Sequence, residues 1–345
     1  MNRQFADYAA PLRVRSEQID EAIPPRYHYV WFGSDFPLMN SVAIQSCLRH
    51  CPGANVTLWH SHVLDGELEY RRLRQLGVHV ELLSAQSLLH PLVGKDLAFD
   101  AARLEEIWNA VESHVARSNI ARAAILYRWG GIYLDTDTLV MRDLAPLRVH
   151  RAFLGTEHIL WPQGSQRRLG WHTAVRGPVL GTLRRIGGQV RDGDRLYRRV
   201  RDLYSRAVNG AVFGARPAHP AVARLLEETT RVPRSEWNIK HRLGTHVLQR
   251  TLAGYHQPDL EILPPDVFYP LGPEWSRQYF RPCREPDAVA ARILTPATHV
   301  LHWYASVSDL SKLGPEQLQS LAKRTAFGAL CAPYLRGSAR PEFSP

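Results

Sequence analysis

The stretch that most constrains this chain runs from Ser118 to Leu144, SNIARAAILYRWGGIYLDTDTLVMRDL. Ile120, Ala123, Ala124 and Tyr127 recur at helical spacing, which predicts an amphipathic helix from Ser118 to Trp129 with one buried face. Gly130-Gly131 ends it, because glycine tolerates the left-handed geometry of a helix terminus. Ile132-Tyr133-Leu134 then reads as a buried strand, and Asp135 and Asp137 follow where that strand leaves the sheet. On an extended chain, carboxylates at i and i+2 point to one face. Two like charges so placed repel each other, and a divalent cation relieves the repulsion. Hard oxygen ligands of this kind suit Mn²⁺ or Mg²⁺ that keep waters and phosphate oxygens as their other ligands. A lone D-x-D also fits a solvated turn after a strand; here a helix, a Gly-Gly turn and an apolar strand all precede the acids.

The flanking sequence alternates between the two element types. Tyr27 to Phe32 is a dense aromatic strand ending at Gly33-Ser34, Pro37 to His50 a helix, Asn55 to Trp59 a strand, Val63 to Leu76 a helix and Val78 to Leu83 a strand. This order opens an α/β, Rossmann-like fold with a central, mostly parallel sheet. Asp100 to Val115 leads into the central helix. Strands are expected at Thr138–Met141 and Phe153–Gly155, and helices at Ala221–Thr230 and from Gly244 to Leu252. The expected organisation is an arm over 1–22, one domain over 23–312 with a basic insertion at about 160–206, and a helix and tail over 313–345.

Hydrophobic residues make up 45% of the 345 and charged residues 22%, as in soluble globular proteins. There is no run of about 18 apolar residues to span a membrane. The opening MNRQFADYAAPLRVRSEQID lacks an apolar secretory core, which points to a cytoplasmic protein. Cys47 and Cys51 lie one helical turn apart, poor geometry for a disulfide, and no second pair completes a zinc site, so buried free thiols are expected. The net charge of +10 favours anionic partners. No aromatic-and-basic motif accompanies it, so nucleic acid is not expected as a partner. The arginines of the insertion read either as a solvated face or as a platform for an anionic acceptor, a membrane surface or an acidic partner.

Ser118, Arg122, Leu126-Tyr127, Gly130-Gly131, Tyr133, Asp135 and Asp137 follow the pattern S-D-x-x-R, helix, L-Y-x-x-G-G-x-Y-x-D-x-D. The chain thereby resembles the DXD glycosyltransferases of family 32, which include α-1,4-galactosyltransferases and the initiating mannosyltransferase of yeast. Their layout is shared by the glucosylating domain of the large clostridial toxins. One position departs: Asn119 stands where the family usually has Asp.

The resemblance implies a GT-A fold and a metal-dependent, retaining transfer of a hexose from a sugar nucleotide, a UDP-sugar in preference to GDP-mannose. It implies Asp137 as metal ligand, Asp135 at the ribose or a metal-bound water, and Arg122 with Asn119 at the donor sugar. Ser118 and Tyr133 belong to the same donor site. Val30 and Trp31, in the family's I-P-x-x-x-H-x-V-W-x-G opening, would hold the base, with Trp31 stacking on it. His302 would join the metal shell, with His299 as fallback. Trp303 and Ser306 would belong to a closing lid, altered here because Val307 replaces its usual Trp. Glu157 and Asn209 would line the acceptor side, and the family's pattern implies a strand at Asn209–Gly214 and a strand end at Val267–Pro270. The acceptor stays open: a glycan, a lipid-linked intermediate, a secondary metabolite or a side chain of a target protein. A nucleotidyltransferase could also use paired acids, although the Arg122 helix argues against one. Asn119 and Val307 leave an inactive sugar-nucleotide-binding module as a further alternative.

Overall fold

The computed structural model describes residues 22–62, 67–160, 171–190 and 193–335. The expected arm, the tail beyond 335 and the start of the helix at Val63 lie outside the described residues. Seven strands form one sheet: β1 (Arg26–Trp31), β2 (Asn55–His60), β3 (His79–Leu82), β4 (Gly131–Leu134), β6 (Ala152–Ile159), β7 (Ser205–Ala215) and β8 (Leu260–Leu263). Their order is β3-β2-β1-β4-β7-β6-β8. Pairings from β3 through β4 and between β6 and β8 are parallel, and only β7 runs against its neighbours β4 and β6. This is the α/β architecture expected, with a mostly parallel sheet.

Period-two alternation decides which core each strand residue joins. Tyr27, Tyr29, Ile132, Leu134 and Val212 face the helix Leu38–His50, whereas Val30, Tyr133 and Phe213 face the central helix and the helix Pro220–Thr230. The sheet is thus buried on both faces, which explains why β1 and β4 read as unbroken apolar runs.

The central helix spans His114–Trp129 and begins four residues earlier than the periodicity suggests, because the Ser113 hydroxyl caps it by accepting from Ala116 N–H (3.3 Å). The stretch before it is a separate helix, Ala101–Ala110, ended by the extended backbone of Val111. Thr138–Val140 is a strand as expected, β5, which pairs antiparallel with β9 (Val300–His302) outside the main sheet. Two other expectations are corrected. Val267–Pro270 is not a strand end, since Pro264-Pro265 starts a helical turn over Pro265–Phe268. Beyond Leu313 there are two helices, Pro315–Ala322 and Ala326–Leu335, and the second is built into the core through Phe327. All four cysteines are free, as their spacing suggests, and no helix among the described residues is long and apolar enough to cross a membrane.

The turn after the central helix is fixed by close packing. Gly130 and Gly131 have φ of 60° and 107°, and a Cβ on Gly131 would sit 2.4 Å from the Arg26 carbonyl. His28 locks this turn to β1. Its Nδ1 accepts from the Trp59 indole N–H (3.2 Å), so Nε2 carries the proton and donates to the Gly130 carbonyl (2.9 Å). Burial pushes the His28 pKa down to about 4. In the unfolded chain it returns to about 6.5, so the neutral ring's contribution is complete above that pH and is lost as pH falls towards 4. Unfolding in urea at pH 7 and pH 4.5 is expected to show a drop of about 2 to 3 kcal/mol from this residue, smaller in His28→Gln. An unchanged pH slope in that variant would refute the assignment.

Candidate active site

Asp135 leaves β4 at the carboxyl edge of the parallel strands, the edge at which open α/β sheets bind ligands. The acids do not lie on extended backbone. Asp135 to Thr138 is a turn, closed by Thr138 N–H and its hydroxyl onto the Asp135 carbonyl (3.2 and 2.7 Å). The expectation of an i, i+2 extended pair is corrected: the turn, not the pleat, brings the two carboxylates together.

Each carboxylate has its own support. Asp135 Oδ1 accepts from Arg122 Nη2 (3.1 Å) and from the Tyr133 hydroxyl (2.6 Å), while Ser118 Oγ lies 3.3 Å from that hydroxyl. Arg122 reaches from the central helix, lies over the Tyr133 ring and donates from Nη1 to the Gly210 carbonyl. Burial nevertheless outweighs the Arg122 charge and raises the Asp135 pKa. Asp137 Oδ1 meets His302 Nε2 at 2.9 Å, and its Oδ2 accepts from Ala305 N–H (2.8 Å). For Asp137 burial acts upward, but the His302 imidazole and the Ala305 N–H prevail and hold its pKa below the usual range. His302 rises for the reciprocal reason, Asp137 outweighing its desolvation.

Asp135, Asp137 and His302 each offer a ligand atom within 4.8 Å of the others. Two carboxylate oxygens and one imidazole nitrogen fit Mn²⁺ or Mg²⁺, with positions left for phosphate or water. His299, the fallback, is turned away: its Nδ1 lies 2.8 Å from the Asp143 carbonyl, outside the cluster.

Two hollows meet at this cluster, and Arg122, Asp135 and Asp137 line both. The first, about 330 Å³, is walled by Val30, Trp31, Ser118 and Trp303. Trp31 is fixed by its indole N–H donating to the Asp35 carbonyl (2.7 Å). Trp303 stands as wall rather than flap: it is 2% exposed and packs edge-on against Phe327, with ring centroids 5.3 Å apart. The second hollow, about 670 Å³, is lined by Asn119, Glu157, Asn209, Ser306 and the loop about Lys240. Asn119 closes tightly on Gly244, where a Cβ would come 2.5 Å from its amide nitrogen. Glu157 is buried on β6 and accepts from the Tyr304 hydroxyl (2.8 Å); burial raises its pKa. Asn209 Oδ1 accepts from Ala211 N–H (2.8 Å). Of the residues singled out in the sequence, only His299 falls outside this region.

Tyr304 and Trp237 were not among them. Tyr304 sits at φ 58°, unusual for a tyrosine, and thereby turns its hydroxyl onto Glu157. Nothing in the sequence marks that backbone. Trp237 lines the second hollow from a loop without periodicity.

Comparison with known families bears directly on this cluster. Residues 38–154 match the family described as the glycosyltransferase sugar-binding region containing the DXD motif. The match covers about a third of the chain, the part holding the central helix, β4 and both acids, and with the sheet topology it bears out the GT-A reading of the fold. No curated protein matches the chain. Among solved structures, the PaToxG glycosyltransferase is similar at 15% identity over 67% of this chain and 69% of its own, with a TM-score of 0.43. Mouse xyloside xylosyltransferase 1 is also 15% identical, over 82% and 98%, with a TM-score of 0.42. Galactosyltransferase LgtC, solved with donor and acceptor sugar analogues, is 14% identical over 86% and 95%, with a TM-score of 0.36. These likenesses are too distant to carry a function across.

Proposed function

We propose that this chain is a metal-dependent, retaining glycosyltransferase that moves a hexose from a sugar nucleotide to an acceptor. The observation that carries the reading is that Arg122, Asp135 and Asp137 line two adjoining hollows at once, with His302 beside the acids on the second. The first hollow takes the nucleotide, with the Trp31 ring against the base and Val30 backbone at its edge. Asp135, Asp137 and His302 would hold the cation, and the donor's diphosphate would lie against it. When bound there, Mn²⁺ or Mg²⁺ neutralises the diphosphate and stabilises its departure.

The chain's own residues then position the reactants. Arg122 and Tyr133 hold Asp135 in one rotamer, and preorganised polar groups of this sort lower the barrier without reorganising during reaction. Asn119, facing the second hollow, offers the sugar hydroxyls an acceptor and an NH₂ donor. Glu157, steadied by Tyr304, and Asn209 face the acceptor hydroxyl. Attack comes from the face the diphosphate leaves, so the acceptor's proton passes to the departing phosphate oxygen and no strong protein base is required. A UDP-sugar is the preferred donor, GDP-mannose the second. Four free cysteines fit a reducing compartment, the cytoplasm.

The test is nucleoside diphosphate release and donor binding across UDP-glucose, UDP-galactose, UDP-GlcNAc, UDP-GlcA and GDP-mannose, with Mn²⁺ and with EDTA. One donor is expected to bind in the micromolar range and to be hydrolysed only with metal. Failure of all five to bind would overturn the reading, whereas binding without release on any acceptor would make the chain a sugar-nucleotide-binding module.

A further inference from the structure

Two side chains of the central helix, Asn119 and Arg122, lie one turn apart on the wall of the second hollow, and each is packed on a glycine. A Cβ on Gly210 would come 2.9 Å from Arg122 Nη1, and one on Gly244 would come 2.5 Å from Asn119 Nδ2. The two side chains differ in what else holds them. Arg122 is tied to Asp135 and to the Gly210 carbonyl. The Asn119 amide makes no hydrogen bond among the described residues, so packing on Gly244 is what fixes its place. The contact involves the whole amide, since the same Cβ would lie 3.2 Å from Asn119 Cγ and 3.6 Å from Oδ1.

Gly244 belongs to a loop with firm roots. Trp237 is 3% exposed, its indole N–H donates to the Val232 carbonyl (2.9 Å), and the guanidiniums of Arg103 and Arg234 lie over its ring. Asn238 Oδ1 accepts from the Glu112 N–H (3.3 Å), which ties the next residue to the turn before the central helix. His241 then takes φ 69°, and its carbonyl accepts from the Gly244 and His246 N–H groups (3.2 Å each). At Gly244 the backbone leaves helical geometry (φ −135°, ψ −110°) before the helix Val247–Ala253 begins. This kink turns the open side of Gly244, where a side chain would stand, to the Asn119 amide.

We propose, resting on the donor site assigned above, that Gly244 is a positioning residue for donor-sugar selection. Its missing side chain leaves the Asn119 amide room to face the sugar hydroxyls, and the rooted loop keeps the amide there. A methyl group at 244 would push the amide aside by about an ångström, enough to lose a directed hydrogen bond. Nδ2 is the free end of a flexible side chain, so the push moves Asn119 and leaves the fold in place.

The test is a double-mutant cycle on Asn119 and Gly244, read by donor hydrolysis with Mn²⁺ across UDP-glucose, UDP-galactose, UDP-GlcNAc, UDP-GlcA and GDP-mannose. Gly244→Ala is expected to lower kcat/KM for the wild type's preferred donor roughly fivefold to tenfold, as for one lost hydrogen bond, and to narrow its lead over the other sugars. Affinity for the free nucleoside diphosphate is expected to stay as in the wild type. In an Asn119→Ala background the same change is expected to cost less than about twofold, because residues in contact are not additive. Selective ¹⁵N labelling of asparagine reads the seat without any donor. The Asn119 side-chain amide signals, identified by their loss in Asn119→Ala, are expected to shift in Gly244→Ala, while those of Asn55 at the start of β2 stay. Unmoved signals or an unchanged order of donors would overturn the inference. So would equal losses in both backgrounds, which would mean that Gly244→Ala disturbs the loop and not Asn119. A wild type that binds none of the five would strike the donor reading and the selectivity role with it, while the amide signals would still show whether Gly244 seats Asn119.

Discussion

Replacing Asp137 by alanine is expected to cut metal-dependent release of nucleoside diphosphate about a thousandfold or more, on the scale of several kcal/mol of charge stabilisation. Asp137 is where three elements meet. It accepts from His302 on β9 and from the Ala305 N–H, and its own carbonyl takes the Trp303 N–H (3.1 Å). Removing the carboxylate takes one of three ligand positions and strands a buried imidazole. Asp137→Asn is the sharper probe, since it keeps one oxygen and the packing but removes the charge. Isothermal titration of Mn²⁺ with UDP present should show weakened metal affinity in both variants, with turnover falling in step. Turnover within threefold of wild type in Asp137→Ala would remove this residue from the chemistry.

The second large effect belongs to Arg122. Its guanidinium is buried, bonded to Asp135 and to the Gly210 carbonyl. Arg122→Ala leaves the Asp135 carboxylate with only the Tyr133 hydroxyl. Breaking a buried pair by deleting one partner costs about 3 kcal/mol or more, and Asp135, a quarter exposed, puts this case at the lower end. Urea unfolding should show that loss, and turnover should drop roughly a hundredfold as Asp135 loses its fixed rotamer. Arg122→Lys should recover part of the stability and little of the activity, because an ammonium lacks the planar fork that spans both partners. Equal activity in the lysine variant would mean that charge, not the fork, is what Asp135 needs. A stable and active alanine variant would remove Arg122 from the account altogether.

Much of this was legible in the sequence where local chemistry is strong. The apolar runs of β1 and β4, the spacing of the central helix and the two glycines led to the edge of the sheet where the acids stand. The periodicity of the helix did not reveal its first turn, because that turn is set by the Ser113 cap and not by apolar spacing. The two acids stand out in the sequence, but the backbone under them does not: a D-T-D-T sequence suits a strand or a turn equally, and the hydrogen bonds to the Asp135 carbonyl choose the turn. Phe268 and Tyr269 look like strand residues in isolation, yet the preceding proline pair overrides their preference. Partners brought together from far along the chain, such as Tyr304 with Glu157, left no local trace at all.

His302 meets Asp137 across 165 residues, and β9, which carries His302, is backed by Trp303 against Phe327 in the final described helix. A chain growing on the ribosome presents the central helix, β4 and both acids long before these partners exist. Until the helix Ala326–Leu335 has emerged and settled, Asp137 has no imidazole beside it and the first hollow lacks a wall. Such late, long-range closure makes assembly slow compared with helix formation. Half-made chains therefore carry the acidic motif without the imidazole and the wall that complete its surroundings.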